Sequence, residues 1–150
     1  MRKEGAVLQL NDKVAIDESS YATIAEAVVS EKGAGGGRVL RSTLKPLSMS
    51  KLRGIYGLIT NVYTRVNSPE DLDQNISDLQ YIKVKMAYES GRDSSAKDFI
   101  SKAGLMHLLD QIKTYDQFIL YCRYAESLVA YFKFPRVANR AGRGNLPAPA

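Results

Sequence analysis

From position 47 onward the hydrophobic residues recur at helical spacing. Leu52, Ile55, Ile59, Val62 and Val66 step by 3, 4, 3 and 4 residues, an amphipathic stripe behind a Ser48 N-cap with Leu47 placed as a staple. Asn67-Ser68-Pro69-Glu70-Asp71 stops that helix and starts another: Ser68 caps, Pro69 takes the first helical position, and the acids face the positive helix end. Leu72, Ile76, Leu79, Ile82 and Met86 carry the stripe on to Gly91, a C′ residue, with room for a break near 75–78. Ser95 and Asp98 are spaced as a capping box for a helix holding Phe99, Leu105, Met106, Leu109 and Ile112, in which Gly104 lowers propensity without ending the pattern. Thr114 and Gln117 form a second box. The helix behind it is the most apolar (Phe118, Ile119, Tyr121, Cys122, Ala125, Leu128, Val129, Phe132) and belongs at the centre, with Pro135 ending it.

The first third is less regular. Val7, Leu8 and Leu10 show no clear period. Ser19 or Ser20 caps a helix over Tyr21–Lys32, and the glycine run 33–37 stops it. With no run of alternating strand residues, the expected class is all-α: a compact bundle of about five helices. It forms a single domain over 1–134 with a Gly-rich, extended connector at 33–46, followed by a disordered basic tail at 135–150 that has too little apolar surface to fold.

Composition sharpens this only in part. No apolar run reaches the ~18–20 residues of a membrane span, and one cysteine rules out an internal disulfide framework, which together point to the cytoplasm. The net charge is +5, but the last sixteen residues supply +3 of it through Arg136, Arg140 and Arg143. The body is close to neutral, so a polyanion must be held by a local patch.

One such patch stands out. In Gln80–Arg92, Tyr81, Lys85, Tyr88 and Arg92 fall at i, i+4, i+7 and i+11 and share a helix face, with Ile82 and Met86 on a neighbouring apolar face. Two readings fit the residues: a helix that holds a polyanion, or a core helix whose lysine stems reach for water. Lys51 and Arg53 sit near a helix N-terminus, where the dipole disfavours cations. Gly54 and Gly57 mark a close approach to the backbone, by a neighbouring helix or by a nucleic-acid strand. Glu126, in an apolar helix, either pairs with a cation or points to solvent. The glycine run lacks any phosphate-loop pattern. His107 and Cys122 cannot supply a four-ligand transition-metal site, and no motif joins them as a nucleophilic pair. No catalytic residues and no cofactor are expected.

Three blocks carry a resemblance: Leu47-Ser48-x-Ser50-Lys51-Leu52-Arg53-x-Ile55-Tyr56, Ile82-Lys83-Val84-Lys85-Met86-Ala87-Tyr88-x-x-Gly91-Arg92, and Tyr124-Ala125-Glu126-Ser127-Leu128-Val129-Ala130-Tyr131-Phe132-Lys133-Phe134. In this order they resemble the small subunit of type III-A CRISPR effector complexes, the second of the Csm proteins. The resemblance covers roughly residues 47–134 and implies a helical, non-catalytic subunit serving antiviral defence. Several copies would self-associate in a filament along a guide RNA–target RNA duplex, beside the backbone subunit and the large subunit. It carries over Lys51, Arg53, Lys83, Lys85 and Arg92 as contacts to sugar-phosphate, with Tyr56, Tyr88 and Glu126 supporting them. The alternative is a protein–protein adaptor without direct RNA contact. The first third and the tail lie outside the resemblance.

Overall fold

A computed structural model describes residues 5–29 and 47–140, with side chains as far as Phe132. Its order is β1 (Val7–Gln9), β2 (Ala15–Asp17), α1 (Tyr21–Val29), α2 (Met49–Tyr63), α3 (Pro69–Gln74), α4 (Ile76–Arg92), α5 (Ser94–Ala103), α6 (Leu105–Leu109) and α7 (Tyr115–Arg140). The class is mostly α, as the periodicity implies. The expected connector at 33–46 and the tail beyond residue 140 lie outside the described residues.

The α2 stripe behaves as its spacing requires. Leu52, Ile55, Ile59 and Val62 are buried, and the Ser48 hydroxyl accepts from the Lys51 amide at 3.1 Å. Ser68 caps α3 through the Asp71 amide, with Pro69 at the first helical position. The break falls at Asn75, and Arg65 secures it by donating to Asp78 at 2.8 Å and to Asn75 at 3.2 Å. Thr114 and Gln117 make their reciprocal bonds, each 3.1 Å, at the start of α7.

α7 packs against α1, α2, α6 and β1 and fills the middle of the core. Its two most enclosed tyrosines do more than fill space. Tyr121 donates to the Leu105 carbonyl at 2.9 Å and Tyr124 to the Ala103 carbonyl at 2.8 Å. Ala103 closes α5, where the last carbonyls have no partner in their own helix, so the Tyr124 phenol satisfies backbone that would otherwise be buried unpaired, while the Tyr121 phenol ties α7 to the first residue of α6.

Several sequence expectations change. The N-terminal lead-in forms an antiparallel hairpin in which Leu8 pairs with Ile16, and both side chains are fully buried. Each strand is three residues long, so only one position per strand faces inward and no period can show. Asn11 closes the turn by accepting from the Lys13 and Val14 amides. Gln111 completes the outer edge, accepting from the Gln9 amide at 2.7 Å and donating to the Gln9 carbonyl at 2.8 Å.

Among the described residues Gly104, not Gly91, is the left-handed glycine. At φ +70° it ends α5, separating α5 from α6 where the pattern suggested one helix, while Gly91 stays helical and exposed inside α4. The splits at Asn75 and Gly104 bring the described residues to seven helices. The box at the start of α5 is also different: Asp93 is the cap, accepting from the Ser95 and Ala96 amides, and Ser95 is buried. Finally, α7 runs past Pro135 to Arg140. Proline removes one backbone donor but its fixed φ is helical, so a helix can continue through it with one bond missing.

Candidate nucleic-acid interface

α4 presents two faces. Leu79, Ile82 and Met86 are buried against the core, so Ile82 and Met86 pin the helix as their spacing implies. The outer face carries Tyr81, Val84 and Tyr88, exposed to 59%, 59% and 60%. Lys85 stands between the two tyrosines, its ammonium 5.8 Å from the Tyr81 ring centroid and 6.0 Å from that of Tyr88. The Arg92 guanidinium lies 5.3 Å from the Tyr88 centroid. Four side chains on successive turns therefore make an aromatic–cation ladder on one exposed helix face. A cation within about 6 Å of an aromatic face is held by the ring quadrupole, worth ~0.5–1 kcal/mol at an exposed site. The rings orient the cations without neutralising them.

The remaining candidates divide by what faces them. Lys51 pairs with Asp93 at 3.0 Å and Lys83 with Asp110 at 2.7 Å. Both charges are answered inside the chain, and neither belongs to the ladder. Arg92 makes a longer contact, 3.5 Å, with Glu89. Arg53 is exposed, on the first turns of α2, with no acid partner among the described residues. Lys51 brings the start of α2 against the α4–α5 junction, since Asp93 directly follows Arg92 and caps α5. The Asp93 carboxyl is held well below its ordinary range, first by the Ser95 hydroxyl and then by Lys51 and the Ala96 amide.

Tyr56 and Glu126 sit elsewhere. Tyr56 is half-buried in a cleft between α2 and α7 with Tyr63, Cys122, Arg123 and Glu126, so it does not stand beside the ladder cations. Burial, then the Glu126 charge, raises its phenol. Glu126 is exposed, and among the described residues it makes no ion pair: of the two readings of this carboxylate, exposure is the one realised. Gly54 and Gly57 also differ from the neighbouring-helix reading. A Cβ on either would meet nothing within 4 Å, so no helix of the described chain approaches them. Tyr81 completes the ladder although it is absent from the resemblance blocks; its signal was the i, i+4, i+7, i+11 spacing. The acids Asp93 and Asp110 had no comparable signal, because their lysine partners are distant in sequence.

Cys122 is buried and its thiol is pushed up to about 12 by desolvation, so it is a protonated core group near neutral pH. His107 is exposed and borders a different groove, along α4, α5 and α6. Among the described residues no group of three or more His, Cys, Asp or Glu could hold a metal ion, and no helix is long and apolar enough to cross a membrane.

Comparison with known proteins bears on the same region. A protein from Enterococcus italicus described as "CRISPR system Cms protein Csm2" is 43% identical over 99 residues, which cover 62% of this chain and 71% of the relative. A protein of the same description from Streptococcus thermophilus is 38% identical over 88 residues, 59% of this chain and 72% of the relative. Another from Mycobacterium tuberculosis is 30% identical over 95 residues, 59% and 74% respectively. The family model for Csm2 of type III-A matches residues 25–137, a span that holds all three sequence blocks, the ladder and the whole of α2 through α6. The chain belongs to the Csm2 type III-A family.

Proposed function

We propose that the chain is a non-catalytic subunit of a type III-A CRISPR ribonucleoprotein that holds RNA by its sugar-phosphate backbone. Family membership implies a structural subunit of such a complex. The observation that carries the RNA contact is the exposed ladder of Tyr81, Lys85, Tyr88 and Arg92, fixed to the core through Ile82 and Met86. Cations held by aromatic rings, with no base-reading groove, suit a contact that positions backbone while pairing with a guide reads sequence. On this reading Lys85, Arg53 and Arg92 meet phosphates of guide or target RNA, Arg92 while sharing its guanidinium with Glu89 at 3.5 Å. Lys51 and Lys83 join only by exchanging their aspartates for phosphate. Several copies side by side, against the backbone and large subunits, would raise a weak single contact through avidity.

Charge reversal at Arg53 and Lys85 in the assembled complex tests this. Target RNA retention falls by roughly tenfold or more if each site meets a phosphate, and steeply with salt. Circular dichroism and the thermal midpoint stay as in the parent chain, because both residues face outward. Unchanged retention with intact assembly would overturn the residue assignment. A hydrolytic activity abolished by Cys122→Ser would overturn the non-catalytic reading.

One observation favours a second reading, the adaptor that touches protein only. The open surface over Gly54 and Gly57 leaves room for a helix of another subunit or another copy. Crosslinking the assembled complex to RNA separates the two: adducts on α4 support the RNA contact, and adducts absent from both α2 and α4 favour the adaptor.

A further inference from the structure

The tyrosines of the ladder ask for a ligand that phosphate alone does not explain. Holding a phosphodiester requires Lys85 and Arg92, and a lysine needs no aromatic neighbour to do it. Yet the ladder places two large rings at 59% and 60% exposure, with the exposed Val84 between them, on the side of α4 turned away from the core. Neither tyrosine contributes to the buried cluster. The acids of α4 that border the face, Asp78 and Glu89, are answered by Arg65 and Arg92.

We propose that this face binds RNA through unpaired, unstacked nucleotides, with Tyr81 and Tyr88 as stacking platforms for two bases and Lys85 between them on the intervening phosphate. The proposal rests on the reading of the chain as RNA-binding and narrows which part of an RNA the face takes. The spacing carries it. Seven residues of helix separate the tyrosines, about 10.5 Å along the axis at ~1.5 Å per residue. Stacked neighbours in a duplex strand advance by only about 3.4 Å in B-form DNA, and their faces are covered by one another. Rings anchored this far apart along the helix are not placed for adjacent stacked bases. They suit bases splayed along an extended strand, with a cation at the midpoint where the backbone between them passes. The lysine lies nearly equidistant from both rings, 5.8 and 6.0 Å, which is the midpoint this arrangement needs. Base–aromatic stacking tolerates any base, because every base offers a π-face, in keeping with a ladder that has no side chain placed to read base edges.

The test uses the full chain at low salt and two fluorescent probes, oligouridine of about 12 nucleotides and a blunt RNA duplex of the same length. The Tyr81→Ala/Tyr88→Ala variant keeps α4 helical, since alanine favours helix and neither ring is part of the core. It should bind the single strand about 25-fold more weakly, roughly fivefold per ring, and the duplex within about twofold of the parent. Tyr81→Phe/Tyr88→Phe should restore single-strand binding, because stacking uses the ring and not the hydroxyl. Equal losses on both probes, no loss on the single strand, or failure of the phenylalanine pair to restore binding would each overturn the proposal. Lys85→Met/Arg92→Met tests the underlying reading separately. It should weaken both probes, and if it weakens neither, the RNA contact itself is assigned to the wrong face whatever the tyrosines do.

Discussion

Asp93 accepts from the Ser95 and Ala96 amides and the Ser95 hydroxyl with one oxygen and meets Lys51 with the other. Every one of these bonds favours the charged form, so the carboxyl ionises well below its ordinary value of 3.8. A depressed carboxylate contributes stability that is present above its unfolded-state value and is lost as pH falls through the folded-state value. The chain should therefore lose stability below about pH 4. Asp93→Asn keeps a capping oxygen but removes the charge, so its urea midpoint should start lower at neutral pH and fall less steeply in acid. Parallel profiles would show that the carboxylate does not act through its charge. Gly104 is the other residue on which local structure turns. Its φ of +70° disfavours any side chain, and an added Cβ would come to 2.6 Å from Leu10 Cδ1 of the hairpin. Gly104→Ala should destabilise by about 2 kcal/mol, combining left-handed strain with the displaced leucine. A unchanged urea midpoint would refute this.

Among the elements, what the sequence revealed follows from how many residues carried each signal. α2 repeats its apolar step four times and α7 presents a reciprocal capping box, so both were readable. The hairpin offers one inward residue per strand, Leu8 and Ile16, too few to form a pattern. Gly104 was read as a weak helical position; the Leu10 side chain that an added Cβ would meet lies more than ninety positions away in the chain and left no local signal. Tyr124 is similar: it was not among the apolar positions read in α7, and nothing local showed that it is buried with its hydroxyl satisfying the Ala103 carbonyl at 2.8 Å. Tyr124→Phe keeps the ring and orphans that carbonyl, so it should cost about 1–2 kcal/mol in chemical unfolding; a cost near zero would mean the carbonyl finds another partner. Gly54 and Gly57 predict the opposite sign. Both are helical, and a Cβ meets nothing within 4 Å. Replacing each with alanine should stabilise the free chain by about 0.5–1 kcal/mol through lower backbone entropy of the unfolded state. A loss instead would point to contacts with a part of the chain outside the described residues.

At the scale of the whole molecule, net charge is a poor guide to where RNA is held. Three of the +5 belong to the last sixteen residues, and in the body Lys51 and Lys83 are each matched by an aspartate. The sequence located the ladder because its four members lie on one helix. It could not separate paired from unpaired cations, since those pairs form across elements. That distinction makes salt dependence informative. Each phosphate contact adds about 0.7 to the slope of log affinity against log salt for a single strand. Lys85→Met should therefore flatten the slope by about 0.7, because among the described residues Lys85 meets no carboxylate. Asp110→Asn should steepen it by a similar amount, by releasing Lys83 to phosphate. Arg123→Met lowers the net charge just as Lys85→Met does, yet Arg123 lies on α7 beside Tyr21 and Glu18, away from the ladder helix. If binding is local, its slope stays at the parent value. If Arg123→Met and Lys85→Met flatten the slope equally, the chain attracts RNA through its overall field and the ladder is not the contact.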